Sequence, residues 1–209
     1  LRDLDLGSTL RLAELAQQLW RIKAVDGAVD GQVQRLPVAL LQTLDVLLLH
    51  NAEYFLSDAA HRRQKDIPAL RKEFYRRLQA AFEYLERQVA AGRLLYYGVS
   101  SNTSTAEPND PEATSLSKML EAAQEAARAT NSRECHFRVL QCPMNLFESG
   151  AVLTANTGPD EKQTLLEYAQ AKRIAVLVNR PLNAMQSKQG GMIRLAEIPL
   201  EKTGVTFEA

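Results

Sequence analysis

The sequence predicts an α/β domain built on a parallel sheet. Three observations carry that expectation. Four short apolar runs recur along the chain, amphipathic helical stretches of about 15 to 25 residues separate them, and polar connections follow the runs rather than precede them. The runs are DVLLLH (45–50), LLYYGVS (94–100), FRVLQCP (137–143) and IAVLVN (174–179). Each is apolar on both faces, as a strand must be when helices cover one side of a parallel sheet and further strands fill the other.

Taken in order, helices are expected over 8–23 and 36–43, with Gly27 and Gly31 marking a flexible connection between them. After the first strand, Leu70, Phe74, Leu78, Phe82, Leu85 and Val89 recur at spacings of three and four and form one apolar stripe. Arg71, Arg76, Arg77, Glu83 and Arg87 take the other faces, and Glu73–Arg77 and Glu83–Arg87 are favourable i,i+4 pairs. Asp66 and Pro68 suit the start of this helix and Gly92 suits the position just past its end. A further helix is expected from Ser115 to about Thr130, with Leu116, Met119, Leu120 and Ala123 inward. Another is expected from about Asp160 to Lys172, burying Leu165, Leu166 and Ala169. The connections 101–114, 146–159 and 184–191 each follow a strand, on the rim where barrels and doubly wound sheets place their sites.

Composition narrows the function classes. The 209 residues carry 25 Lys and Arg against 25 Asp and Glu, so the chain lacks the cationic surplus of a nucleic-acid or acidic-membrane binder. Its longest apolar runs fall far short of the roughly 20 residues that span a bilayer, and no secretory leader is evident. Cys135 and Cys142 are too few for a disulfide framework and lack zinc-site spacing, so both are expected as buried or half-buried thiols. A soluble protein of a reducing compartment follows, cytoplasmic or alternatively in a mitochondrial matrix or another organelle lumen. The chain begins at Leu1, which points to a processed or partial polypeptide.

The ordered set LDVLLLHN (44–51), FEYLERQVAAGRLLYYGVSSN (82–102), VLQCPMNLFE (139–148) and LLEYAQAKRIAVLVNRPLNA (165–184) resembles the aldo-keto reductase family. That family shows "DLYLLH", a helix with "LE.L...GK", "GVSN", a strand with Gln followed by Asn, and "GI.V..(Y)SPL" in the same order. The resemblance covers residues 36–195 of a single domain, behind a divergent helical segment at 1–35. It implies a (β/α)8 barrel of which about four units, the fourth to seventh strands, are evident, and therefore a partial barrel. It also implies NADPH as cofactor and a small carbonyl compound as substrate.

Residue by residue, the resemblance makes His50 the histidine that hydrogen-bonds the substrate carbonyl oxygen. Asn51, Glu53 and Tyr54 then line the entrance or pack on the helix below. Ser100 and Ser101 take the place of the Ser-Asn pair that holds the nicotinamide carboxamide, with Asn102 one place later. Gln141 matches the glutamine that grips the same group, and Asn145 is a weaker match. Asn179 and Arg180 stand where many members have Tyr-Ser, so the ring that stacks on the nicotinamide is replaced. Arg180 is expected either to meet a pyrophosphate or acidic substrate, or to form a rim ion pair. The family's tyrosine proton donor, with its lysine and aspartate, has no counterpart in residues 1–34. Two functions are therefore expected as alternatives. One is carbonyl reduction by the complete protein; the other is a noncatalytic subunit of a larger assembly, of which a channel-regulating subunit is one form.

Overall fold

A computed structural model of the chain describes residues 43–185 and 192–194. The helix expected over 8–23, the one expected from 36, and the Gly27–Gly31 connection lie outside the described residues. Strand β1 (Leu44–His50) leads into α1 (Tyr54–His61) and the long α2 (Ile67–Ala90). Strand β2 (Leu94–Ser100), α3 (Leu116–Ala129) and β3 (Phe137–Pro143) follow. After the short helix α4 (Gly150–Leu153) come the strands β4 (Ala155–Thr157) and β5 (Gln163–Thr164), then α5 (Leu165–Lys172) and β6 (Ala175–Asn179). The strands β7 (Asn183–Met185) and β8 (Met192–Arg194) are last. Among the described residues no helix is long and apolar enough to cross a membrane.

The four expected strands form one parallel sheet in the order β1-β2-β3-β6, so neighbours in sequence are neighbours in space. Two small antiparallel pairs, β4 with β5 and β7 with β8, stand apart from it. Strand side chains alternate, and the two faces of the sheet differ sharply. One face carries Tyr97, Val99, Leu140 and Cys142, all fully buried. These pack in a single core with Phe74, Leu78, Phe82 and Leu85 of α2 and with Leu116, Met119 and Ala123 of α3. Phe82, Tyr97 and Phe137 form its centre, with ring centroids 5.2 to 5.9 Å apart. Burying each such ring contributes roughly 2–3 kcal/mol. On the opposite face Val46, Tyr96 and Leu177 remain 40 to 45% exposed. The expectation that further strands fill that side is not met among the described residues.

Helix α2 begins where Asp66 accepts a hydrogen bond from Ala69 N at 3.0 Å and Pro68 fits the first turn. It ends at Ala90, and Gly92, just past the cap residue Ala91, has a φ of +70°, the left-handed conformation that glycine adopts without strain. Glu73 pairs with both Arg76 and Arg77. The expected Glu83–Arg87 pair does not form; Glu83 instead accepts from Gln79 Nε2. Helix α5 starts five residues later than expected. Gly158, Asp160 and Glu161 take positive φ in a 3-10 turn at Pro159–Glu161, which cannot continue into an α-helix. The start is set instead by Thr164 and Glu167, whose side chains each bond the other's backbone N–H in a capping box.

A bulge shifts the β2–β3 register between Tyr97 and Gly98, and the backbones close in there. A Cβ at Gly98 would lie 1.8 Å from Val139 O, so only glycine fits.

Candidate functional site

At the C-terminal end of the sheet the register aligns His50 with Ser100, Ser100 with Gln141 and Gln141 with Leu177. Residues in one such row share a face, and this row lies on the face away from the helices. Asn179 pairs with Pro143 and falls one step further along the same face. The parallel sheet therefore brings His50, Ser100 and Gln141 into one row, with Asn179 diagonal to Gln141.

Ser100 is buried, and its Oγ donates to Gln141 Oε1 at 2.8 Å. That bond fixes which end of the glutamine amide is the oxygen and leaves Nε2 as its donor. Asn179 Oδ1 is buried without a hydrogen-bond partner among the described residues. A donor and an acceptor thus stand on neighbouring strands at a diagonal that long side chains can bridge. His50 is exposed at the end of β1.

Ser101 departs from its expected role. It is 1% exposed and its Oγ bonds Thr114 Oγ1 at 3.1 Å, because the residue after Ser100 necessarily points to the other side. Asn102 is engaged as well. Its Nδ2 donates to Asn51 Oδ1 at 3.0 Å, and its Oδ1 accepts from Arg180 Nη1 at 3.0 Å. Asn51 itself takes a φ of +53°, a conformation that asparagine tolerates better than most residues.

Of the two readings open for Arg180, the structure has the ion pair. Its Nη2 and Nε donate to the two carboxylate oxygens of Glu148 at 2.5 and 3.2 Å, with both side chains about one-fifth exposed. This two-pronged geometry is the strong form of the arginine–carboxylate contact. It occupies the guanidinium that would otherwise face a pyrophosphate.

Three residues underpin this rim more than the sequence indicated. Asn145 Oδ1 accepts from the backbone N–H groups of Phe147 and Glu148, both at 2.9 Å, and its Nδ2 donates to Glu148 Oε2, Arg180 O and Asn183 O. It ties the β3 connection to the β6 connection. Glu148 had only its place after the third strand as a signal. Glu53 is not at the entrance: it is 1% exposed, and its Oε1 accepts from Asn102 N at 2.7 Å while Oε2 has no partner among the described residues. Tyr54, next to it, is 63% exposed. No group of three or more His, Cys, Asp or Glu residues among those described could hold a metal ion.

Comparison with known protein families, with curated proteins and with solved structures finds no match to this chain.

Proposed function

We propose that this chain is an aldo-keto reductase-like protein whose sheet is four consecutive units of a (β/α)8 barrel, and that its complete form reduces a carbonyl compound with NADPH. The observation that carries this reading is the row His50, Ser100 and Gln141 with Asn179 beside it. Two features support the barrel: the strand order is sequential, without the reversal of a doubly wound sheet, and the helices of the core lie on one face.

The residues fit a nicotinamide carboxamide. Gln141 Nε2 offers a donor for its oxygen, and Asn179 Oδ1 is an acceptor in need of its NH2. Ser100 holds the glutamine amide by its oxygen. The fit does not extend to the pyrophosphate, because Arg180 is neutralised by Glu148. When bound, the cofactor supplies hydride. His50 then donates a hydrogen bond to the substrate oxygen, where negative charge develops. Asn102, held by Glu53, Asn51 and Arg180, keeps the β1, β2 and β6 rims at fixed spacing around that mouth.

Titration of the intact protein with NADPH, followed by cofactor fluorescence, tests the reading. Saturable binding is expected, weakened roughly tenfold by Gln141→Ala through loss of one hydrogen bond to the ligand. His50→Ala should leave binding in place and slow carbonyl-dependent NADPH oxidation by about 10²-fold or more. No saturable binding would refute it. The alternative, a noncatalytic subunit, draws on the exposed apolar sheet face of Val46, Tyr96 and Leu177. It predicts no carbonyl-dependent turnover in the complete protein with any simple aldehyde, whether or not NADPH binds.

A further inference from the structure

A guanidinium at the end of a strand invites a carboxylate or phosphate. Of the residues placed at the C-terminal rim, Arg180 alone is an arginine or lysine. It follows Asn179 at the end of β6, and its Nη1 reaches Asn102 Oδ1, beyond the end of β2. Strand β3, which carries Gln141, lies between those two strands. The guanidinium therefore crosses the end of β3, above the strand that carries Gln141.

Glu148 cancels the charge that this position would otherwise offer. Both of its carboxylate oxygens accept from Arg180, at 2.5 and 3.2 Å. Both partners are tied down. Asn145 Oδ1 accepts from Glu148 N at 2.9 Å, and Asn145 Nδ2 donates to Glu148 Oε2 at 2.7 Å. The same Nδ2 donates to Arg180 O at 3.2 Å, and Asn183 N donates there at 3.3 Å. Arg180 itself takes a φ of +53°, a conformation uncommon for a residue with a Cβ and kept only where the surroundings enforce it. An ion pair held from both sides is a lasting neutralisation, unlike a surface contact between two mobile chains. Asn51 and Asn102 are uncharged, and Glu53 adds no positive charge. A ligand bearing a carboxylate would lose hydration here with no cation to replace it, whereas an uncharged carbonyl compound loses little.

We propose that the mouth accepts uncharged aldehydes and ketones and refuses oxo acids, and that Glu148 sets this preference by holding Arg180. The assignment rests on the carbonyl-reducing reading above. Glu148 touches no substrate and acts through the arginine. Released from it, the guanidinium would present a two-pronged carboxylate site.

Isothermal titration of the intact protein with acetophenone and benzoate, which are alike in size and shape and differ in charge, tests the assignment. Acetophenone should bind the wild type about tenfold or more tighter than benzoate. Glu148→Gln keeps the side-chain volume and an acceptor for Arg180. It should tighten benzoate about tenfold or more and leave acetophenone unchanged. A merely structural tie would instead move both ligands together. Benzoate binding the wild type as tightly as acetophenone would overturn the proposal, as would neither ligand binding. The wild-type comparison decides even where the variant does not fold. A folded Glu148→Gln protein whose benzoate affinity does not rise overturns it too. Turnover separates the proposal from the reading beneath it. If benzaldehyde and 4-carboxybenzaldehyde support NADPH oxidation equally, the selectivity fails and carbonyl reduction stands. If neither aldehyde supports oxidation while acetophenone still binds better than benzoate, carbonyl reduction fails and the charge preference of the mouth stands.

Discussion

Glu86 shows how much one side chain can organise. It lies on α2 at zero exposure, and its carboxyl group collects three contacts: Tyr97 Oη and His136 N donate to Oε1, both at 2.9 Å, and His136 Nδ1 lies 2.8 Å from Oε2. One residue thereby joins a helix, the middle of β2 and the approach to β3. Glu86→Ala should destabilise the protein by about 3 kcal/mol, since it orphans the Tyr97 hydroxyl and a backbone N–H inside the core. Glu86→Gln, which keeps an acceptor for both, should lose about 1 kcal/mol. Urea denaturation measures the difference, and equal losses for the two variants would rule the account out. The sequence held a trace of this: Glu86 sits four residues beyond Phe82 and three before Val89, on the apolar stripe of its own helix. A carboxylate there needs a buried partner, but the partners come from β2 and the approach to β3, and no local pattern names them. His50, Ser100 and Gln141, which the resemblance singled out, were set in one row by strand alternation and the parallel register. Ser101 was not, because the same alternation turns it to the opposite side.

Among the elements, α2 carries a pH dependence on its solvated face. Arg76 and Arg77, both bonded to Glu73, hold its carboxyl at about 2, well below the usual 4.5. A carboxyl held lower in the folded state than in the unfolded chain stabilises the fold at pH values above its ordinary range. That contribution is expected to fade as pH falls from about 4.5 through about 2. Glu73→Gln should remove it, so wild-type and variant melting temperatures should differ at pH 6 and converge toward pH 2. The effect will be small and reduced by salt, because the three side chains are partly exposed. Element boundaries were readable where chemistry is local. Strands β2 and β3 end where their apolar runs end, and α2 starts at its capping aspartate. The late start of α5 was written in Thr164 and Glu167, whereas the Gly158-Pro159 turn that also suits a helix start leads into a 3-10 turn instead.

For the whole molecule, one sheet with a buried side and an open side sets both the stability and the placement of the sites. The core between sheet and helices is continuous from Leu56 to Ile174, while Val46, Tyr96 and Leu177 face outward. Parallel pairing was legible from runs too apolar to alternate. The stagger that puts Asn179 one step beyond Gln141 was not, since it depends on how neighbouring strands slide past each other and on the bulge at Gly98.

Cys142 lies on the buried side of that sheet with no exposed surface, and burial pushes its thiol up to about 11. Cys135, just ahead of β3, is half-buried, and burial raises its thiol too. The polypeptide therefore contains an internal clock. At pH 8 a disulfide reagent should modify Cys135 first. Cys142 should react only as often as the helices lift from the strands, at a rate that denaturant accelerates in step with global unfolding. Simultaneous modification of the two sulfurs in buffer would mean that this layer opens far more readily than its packing implies.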